Sequence, residues 1–140
     1  MSDRKEYLGH CLCGAVKVFV KPAGTGIGVC HCGMCRRWTG GPLFALDCGS
    51  DLRIEGIEHV RTFASSDWAE RAFCGTCGSH LYYRARQSNQ HHLPVGLLDD
   101  QTPWKLDQQI FIDSKPGFYD LANKTENLTG AEVFAKYAPG

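Results

Sequence analysis

Seven of the eight cysteines in this 140-residue chain fall into three tight groups, and that grouping limits the possible folds more than any other feature. The groups are Cys11-Leu-Cys13, Cys30-His-Cys32-Gly-Met-Cys35 and Cys74-Gly-Thr-Cys77, while Cys48 stands alone. A chain of this length can bury a core without crosslinks, so the cysteines need another role. The leading residues Met-Ser-Asp-Arg-Lys-Glu contain no apolar signal core, and apolar runs such as Leu93 to Leu98 are far too short to span a bilayer. A reducing, cytoplasmic setting without a membrane partner is therefore expected. There, clustered cysteines serve as metal ligands or redox thiols more often than as disulfides.

A tetrahedral zinc ion with Zn–S near ~2.3 Å needs its sulfurs a few ångströms apart, and ligands two or three residues apart in a tight turn supply them. The glycines after Cys13, Cys32, Cys74 and Cys77 ease the backbone around such an ion, with positive φ expected there. Cys30, Cys32 and Cys35 form a three-thiolate set by themselves, whereas the Cys11/Cys13 and Cys74/Cys77 pairs can complete one another. The expected split is a closed, structural site of four and an open site of three. An open fourth position is the arrangement that catalytic zinc uses to admit water or substrate, and its metal should be the more labile.

Other readings of the same cysteines stay in play. Cys74-Gly-Thr-Cys77 alone could be a thioredoxin-type dithiol, though the strand-to-helix setting of that motif is missing. Disulfides throughout or an iron–sulfur cluster are further alternatives. The trio could also be closed into a structural site by Cys48, His31 or His80.

Around these groups, Arg36 and Arg37 follow the trio directly and Arg71 precedes the Cys74 pair; all three are candidates for gripping a substrate carboxylate with two parallel hydrogen bonds. His91 and His92 are read as solvated members of a polar loop over Ser88 to His92. Lys+Arg and Asp+Glu are 15 each, so formal net charge is zero and pI is near 7.0. Without a basic cluster, no nucleic-acid partner is expected.

Short segments dominate the pattern. Val16, Val18 and Val20 alternate with Lys17, Phe19 and Lys21 over Gly14 to Lys21, the period of a half-buried strand. Leu43 to Asp47, Leu52 to Glu55, His59 to Ala64, Arg71 to Phe73, Leu81 to Arg84, Leu93 to Leu98 and Gln109 to Asp113 read as further strands of an antiparallel meander. Pro22 to Gly28 reads as turn. Met34 to Thr39 reads as a short helix stopped by Gly40-Gly41-Pro42. Thr129-Gly-Ala-Glu132 has capping-box spacing ahead of Val133, Phe134 and Tyr137, which predicts a closing helix. The whole is expected to be one mainly β domain over residues 1–140.

Taken in order, Gly9-His-Cys-Leu-Cys-Gly-Ala-Val16, Cys30-His-Cys-Gly-Met-Cys-Arg-Arg37, Arg71-Ala-Phe-Cys-Gly-Thr-Cys-Gly78 with Leu81-Tyr82, and Gly96-Leu-Leu-Asp-Asp100 resemble the glutathione-dependent formaldehyde-activating enzyme family, or CENP-V/GFA domain. The match runs from about Gly9 to Phe118. The resemblance implies an Mss4-like fold of short antiparallel strands with zinc knuckles. It also implies a structural zinc on Cys11, Cys13, Cys74 and Cys77 and a catalytic zinc on Cys30, Cys32 and Cys35. The implied reaction joins glutathione to formaldehyde as S-(hydroxymethyl)glutathione and is classed with carbon–sulfur lyases; for this chain glutathione is the expected thiol and formaldehyde one possible aldehyde. Phe118 stands where the family pattern leads to Trp, and Cys48 belongs to none of its motifs. The alternative is a zinc module that carries glutathione or binds a protein partner without turnover.

Overall fold

The computed structural model describes residues 4–137. Its strands begin with β1 (Tyr7–His10), β2 (Lys17–Val20) and β3 (Gly26–Cys30), followed by helix α1 (Gly33–Thr39). Next come β4 (Leu43–Gly49), β5 (Leu52–Glu55), β6 (Val60–Phe63) and β7 (Ala69–Cys74). β8 (His80–Ala85), β9 (Gln90–Pro94), β10 (Lys105–Ile110), β11 (Glu126–Leu128) and helix α2 (Gly130–Tyr137) complete the order. The mainly β, Mss4-like expectation holds, and no helix among the described residues is long and apolar enough to cross a membrane.

β1, β2 and β5 make a three-stranded sheet; the other eight strands form a second sheet in the order β11-β10-β3-β4-β9-β8-β7-β6. The valine alternation read from the sequence faces inward, since Val16, Val18 and Val20 are fully buried. They pack with Leu46, Leu81, Leu93 and Leu98 in one core that joins the two sheets. Each such side chain contributes roughly 1.5–3 kcal/mol on burial. Cys11 and Cys74 belong to the same core, which ties the first and third cysteine groups to its packing.

The helices form where their residue types place them. The Cys32 sulfur caps α1 by accepting from the Cys35 N–H at 3.4 Å, and Gly40 ends it with φ 86°. At α2 the capping box closes reciprocally, with Glu132 N–H on Thr129 Oγ1 at 3.2 Å and Thr129 N–H on Glu132 Oε1 at 2.9 Å. Phe134 meets the edge of Phe111 at 5.8 Å; the side chain of Tyr137 lies outside the described residues.

Several details differ from the sequence reading. Of Leu93 to Leu98 only Leu93 and Pro94 lie in a strand, with Val95–Leu97 a 3-10 turn, and of Gln109 to Asp113 only Gln109 and Ile110 do, with Ile112–Ser114 another 3-10 turn. β1 and β11 were not anticipated, and β3 starts inside the segment read as turn. That strand's two glycines look like turn residues, but it is hydrogen-bonded on both edges, to β4 and β10, and this pairing outweighs local propensity. The meander is also broken, because β10 runs parallel to both β3 and β11. Finally, His91 and His92 lie on β9 rather than in a solvated loop. His91 is buried, its Nδ1 3.0 Å from the Gly49 carbonyl and its ring set against Tyr82. Polar residues that pair across a sheet interior resemble a loop until their neighbours are known.

Candidate metal centres

Two turns bring the first and third cysteine groups together. Cys11 to Gly14 folds back with Gly14 N–H on Cys11 O at 3.1 Å, and Cys74 to Gly78 does the same with Gly78 N–H on Cys74 O at 2.8 Å. Gly14 and Gly78 end these turns at φ 80° and 78°, the left-handed region that a side chain disfavours. Gly33 and Gly75, also read as positive-φ positions, do not have it; Gly33 opens α1, and Gly75 lies close against the His59 carbonyl. Ser79 fastens the two turns by accepting from Leu12 N–H at 3.0 Å while its hydroxyl lies 3.2 Å from Cys77 Sγ. That hydroxyl is the main reason the Cys77 thiol is pulled down to about 5.

The sulfurs of Cys11, Cys13, Cys74 and Cys77 all lie within 4.8 Å of one another, with Cys11–Cys13 at 3.6 Å and Cys13–Cys74 at 3.8 Å. A tetrahedron with Zn–S near 2.3 Å has edges of about 3.8 Å. The donor set and its spacing therefore fit zinc, and none of the eight cysteines is paired in a disulfide. Cys74-Gly-Thr-Cys77 joins β7 to β8, a strand-to-strand turn without the helix that a thioredoxin-type dithiol uses.

The second group is built at a strand-to-helix junction. Cys30 ends β3, Cys32 caps α1 and Cys35 lies in its first turn, with the three sulfurs again within 4.8 Å of one another. Packed this closely, the thiols compete for protons. The hydrogen bond to Cys32 pushes the Cys30 thiol strongly up, and the same bond pulls Cys32 down to about 2. A divalent cation fits such a set because it accepts all three as thiolates. Among the described residues, no fourth His, Cys, Asp or Glu joins the trio within that distance.

The residues considered for closing the trio are occupied elsewhere. Cys48 is buried in the core with its Sγ 3.6 Å from Leu46 O, and burial pushes its thiol up to about 12. His80 stacks on Trp38 at 4.3 Å. His31 is fully buried, and burial holds it below the usual histidine range, so its ring is neutral. Its Nε2–H donates to Gln109 Oε1 at 2.8 Å, and its Nδ1 accepts from the Tyr119 hydroxyl at 2.6 Å. Gln109 is buried as well, and its amide donates to Thr125 Oγ1 at 3.0 Å, which sets the orientation of the chain. Tyr119, unnoticed in the sequence, is thereby held within electrostatic reach of Cys30 and Arg36.

The three arginines separate. Arg36 donates through Nε to His31 O at 3.1 Å, and Arg37 is exposed on the same helix with a bond to Gly33 O at 3.2 Å. Arg71 is 5% exposed and directs both terminal nitrogens at Cys35 Sγ, each at 3.7 Å. Trp38 and Tyr83 flank its guanidinium at 4.9 and 5.1 Å. No sequence signal placed these aromatics beside the trio, because they come from a helix face and a separate strand.

Comparison with known proteins agrees with the motifs. The family model described as glutathione-dependent formaldehyde-activating enzyme matches residues 6–114. A Schizosaccharomyces pombe protein named as an uncharacterized lyase is 36% identical over 129 residues, covering 91% of this chain and 94% of that protein. A Halomonas elongata protein, provisionally named a glutathione-dependent formaldehyde-activating enzyme, is 25% identical over 130 residues, covering 85% and 83%. A crystal structure of a Rhodobacter sphaeroides protein superposes with TM-score 0.60 at 28% identity, covering 69% of this chain and 91% of that one.

Proposed function

We propose that this chain, which belongs to the glutathione-dependent formaldehyde-activating enzyme family, is a zinc-dependent carbon–sulfur lyase that joins a thiol to an aldehyde and reverses the same step. The observation that carries the reading is the trio of Cys30, Cys32 and Cys35, three sulfurs gathered with no fourth His, Cys, Asp or Glu beside them among the described residues. Glutathione is the proposed thiol, after the family description and the name of the Halomonas relative. Zinc held by Cys30, Cys32 and Cys35 would supply Lewis acidity that makes an incoming thiol easier to deprotonate. The thiolate sulfur then attacks the carbonyl carbon, a C–S bond forms, and the carbonyl π pair moves to oxygen, which takes up a proton. No oxidant or reductant enters this balance.

The chain's own residues divide the remaining tasks. Arg36 and Arg37, on the last turn of α1, are proposed to receive the carboxylates of the thiol substrate. Tyr119 Oη is the proposed protonating hydroxyl: its O–H rests on the neutral Nδ1 of His31, turns to the developing alkoxide, and is renewed by the proton that the thiol gives up. Tyr119→Phe should therefore keep the fold and the metal content and slow turnover by about 100-fold, the low end of general acid–base contributions. A variant as fast as the parent would remove Tyr119 from the reaction.

Two zinc ions per chain are expected, with unequal lability, because four thiolates leave a competing ligand no place and three leave one. Metal analysis and timed release to a chelator will read both numbers. One zinc per chain, or two leaving together, would contradict the assignment. The function itself is tested by incubating the zinc-loaded protein with glutathione and a panel of aldehydes, and following adduct formation by NMR against the uncatalysed rate. Acceleration with at least one aldehyde is expected; none at all would favour a carrier.

A further inference from the structure

Arg71 is a buried cation without a carboxylate. It lies on β7 with 5% of its surface exposed, and no Asp or Glu among the described residues forms an ion pair with it. Its Nε is buried with no hydrogen-bond partner, so its polar contacts are those that both terminal nitrogens make with Cys35 Sγ. The flat faces of Trp38 and Tyr83 hold the guanidinium in that orientation. A guanidinium removed from water is costly unless an anion compensates it, and the group its terminal nitrogens reach is the Cys35 sulfur, which a divalent ion bound at the trio would hold as a thiolate. The charges also sum suitably: three thiolates and one divalent ion leave one negative charge, which one arginine cancels.

We propose that Arg71 is a positioning residue for the trio, a two-pronged N–H donor that fixes the Cys35 sulfur as a ligand and draws off its charge. The task first expected of it, gripping a substrate carboxylate, does not suit a side chain this buried. The proposal rests on the reading of Cys30, Cys32 and Cys35 as a metal-holding set, and it deepens that reading. Sulfur that donates charge into two N–H groups is a poorer nucleophile, so an arriving thiol rather than Cys35 itself meets the aldehyde. Arginine suits the place because its fork offers two parallel donors and a face for aromatic stacking, neither of which lysine has.

The test compares the parent with Arg71→Met and Arg71→Lys. Zinc at each site is titrated by chelator competition, and cobalt is then loaded into the weaker site for spectroscopy. Arg71→Met should keep the tight site unchanged and weaken the trio by about 10–100-fold, the usual effect of losing a partner behind a metal ligand. Its sulfur-to-cobalt charge-transfer band should move to lower energy, because a sulfur freed of N–H donors gives up charge more easily; Arg71→Lys should fall between. The band is the readout that a merely structural arginine would not shift, and should Arg71→Met fail to fold, Arg71→Lys carries the comparison. Bands that superimpose in the folded variants overturn the proposal while leaving the trio's metal intact. A parent chain that binds one zinc overturns both this proposal and the reading beneath it.

Discussion

Cys74→Ser is expected to yield a chain that does not fold. Cys74 is fully buried within the hydrophobic core, and its sulfur stands in a set of four contributed by two turns far apart in sequence. Binding a structural zinc releases on the order of 10–16 kcal/mol in zinc-finger peptides. Whole domains are stable by only about 5–15 kcal/mol, so losing even part of that energy removes most of the margin. The serine would also bury a hydroxyl where a thiolate stood. Far-UV circular dichroism and zinc content of purified protein decide the matter. Cys13→Ser serves as the comparison, because Cys13 is exposed and water can replace its sulfur; its damage should be smaller. A folded Cys74→Ser protein with full zinc content would show that this set does not hold the structure.

Cys32→Ser should have the opposite outcome, a folded protein that retains one zinc per chain and accelerates nothing. The serine preserves what Cys32 does for the fold, since a hydroxyl caps a helix by accepting from the same N–H that the sulfur now accepts, that of Cys35. What it loses is a soft thiolate at the trio, which leaves two sulfurs for the metal. Adduct formation should fall to the uncatalysed rate, with the melting temperature within a few degrees of the parent. Wild-type turnover in this variant would move the reaction away from the trio. Unfolding as severe as that of Cys74→Ser would make the second site structural too.

Much of the site was legible because metal-ligand groups are local. Residues two or three apart on one turn reach one point in space whatever the rest of the fold does, so the groups at Cys11, Cys30 and Cys74 could be read before any strand was placed. Helix α1 was legible for a similar reason, its cap and its stop being set by neighbours in the chain. The polar surroundings were not. Arg71 meets Cys35 across 36 positions, His31 meets Gln109 across 78 and Tyr119 across 88, and no periodicity encodes such contacts. Hence an arginine buried against a sulfur reads as a substrate anchor, and two strand histidines read as a loop.

Residue types and spacings alone set the three cysteine groups, the prevalence of short strands and the starts of the two helices, with the pairing of the groups left as an expectation. Tertiary structure alone decided that Cys11 and Cys74 share the core with the buried valines. It also decided that β10 lies parallel between β3 and β11, and that Arg71 faces sulfur rather than solvent. Turns and caps follow from steric and hydrogen-bonding preferences of adjacent residues, which every sequence carries locally. The environment of a charge depends on which strands lie side by side, and burial of the whole core sets that order.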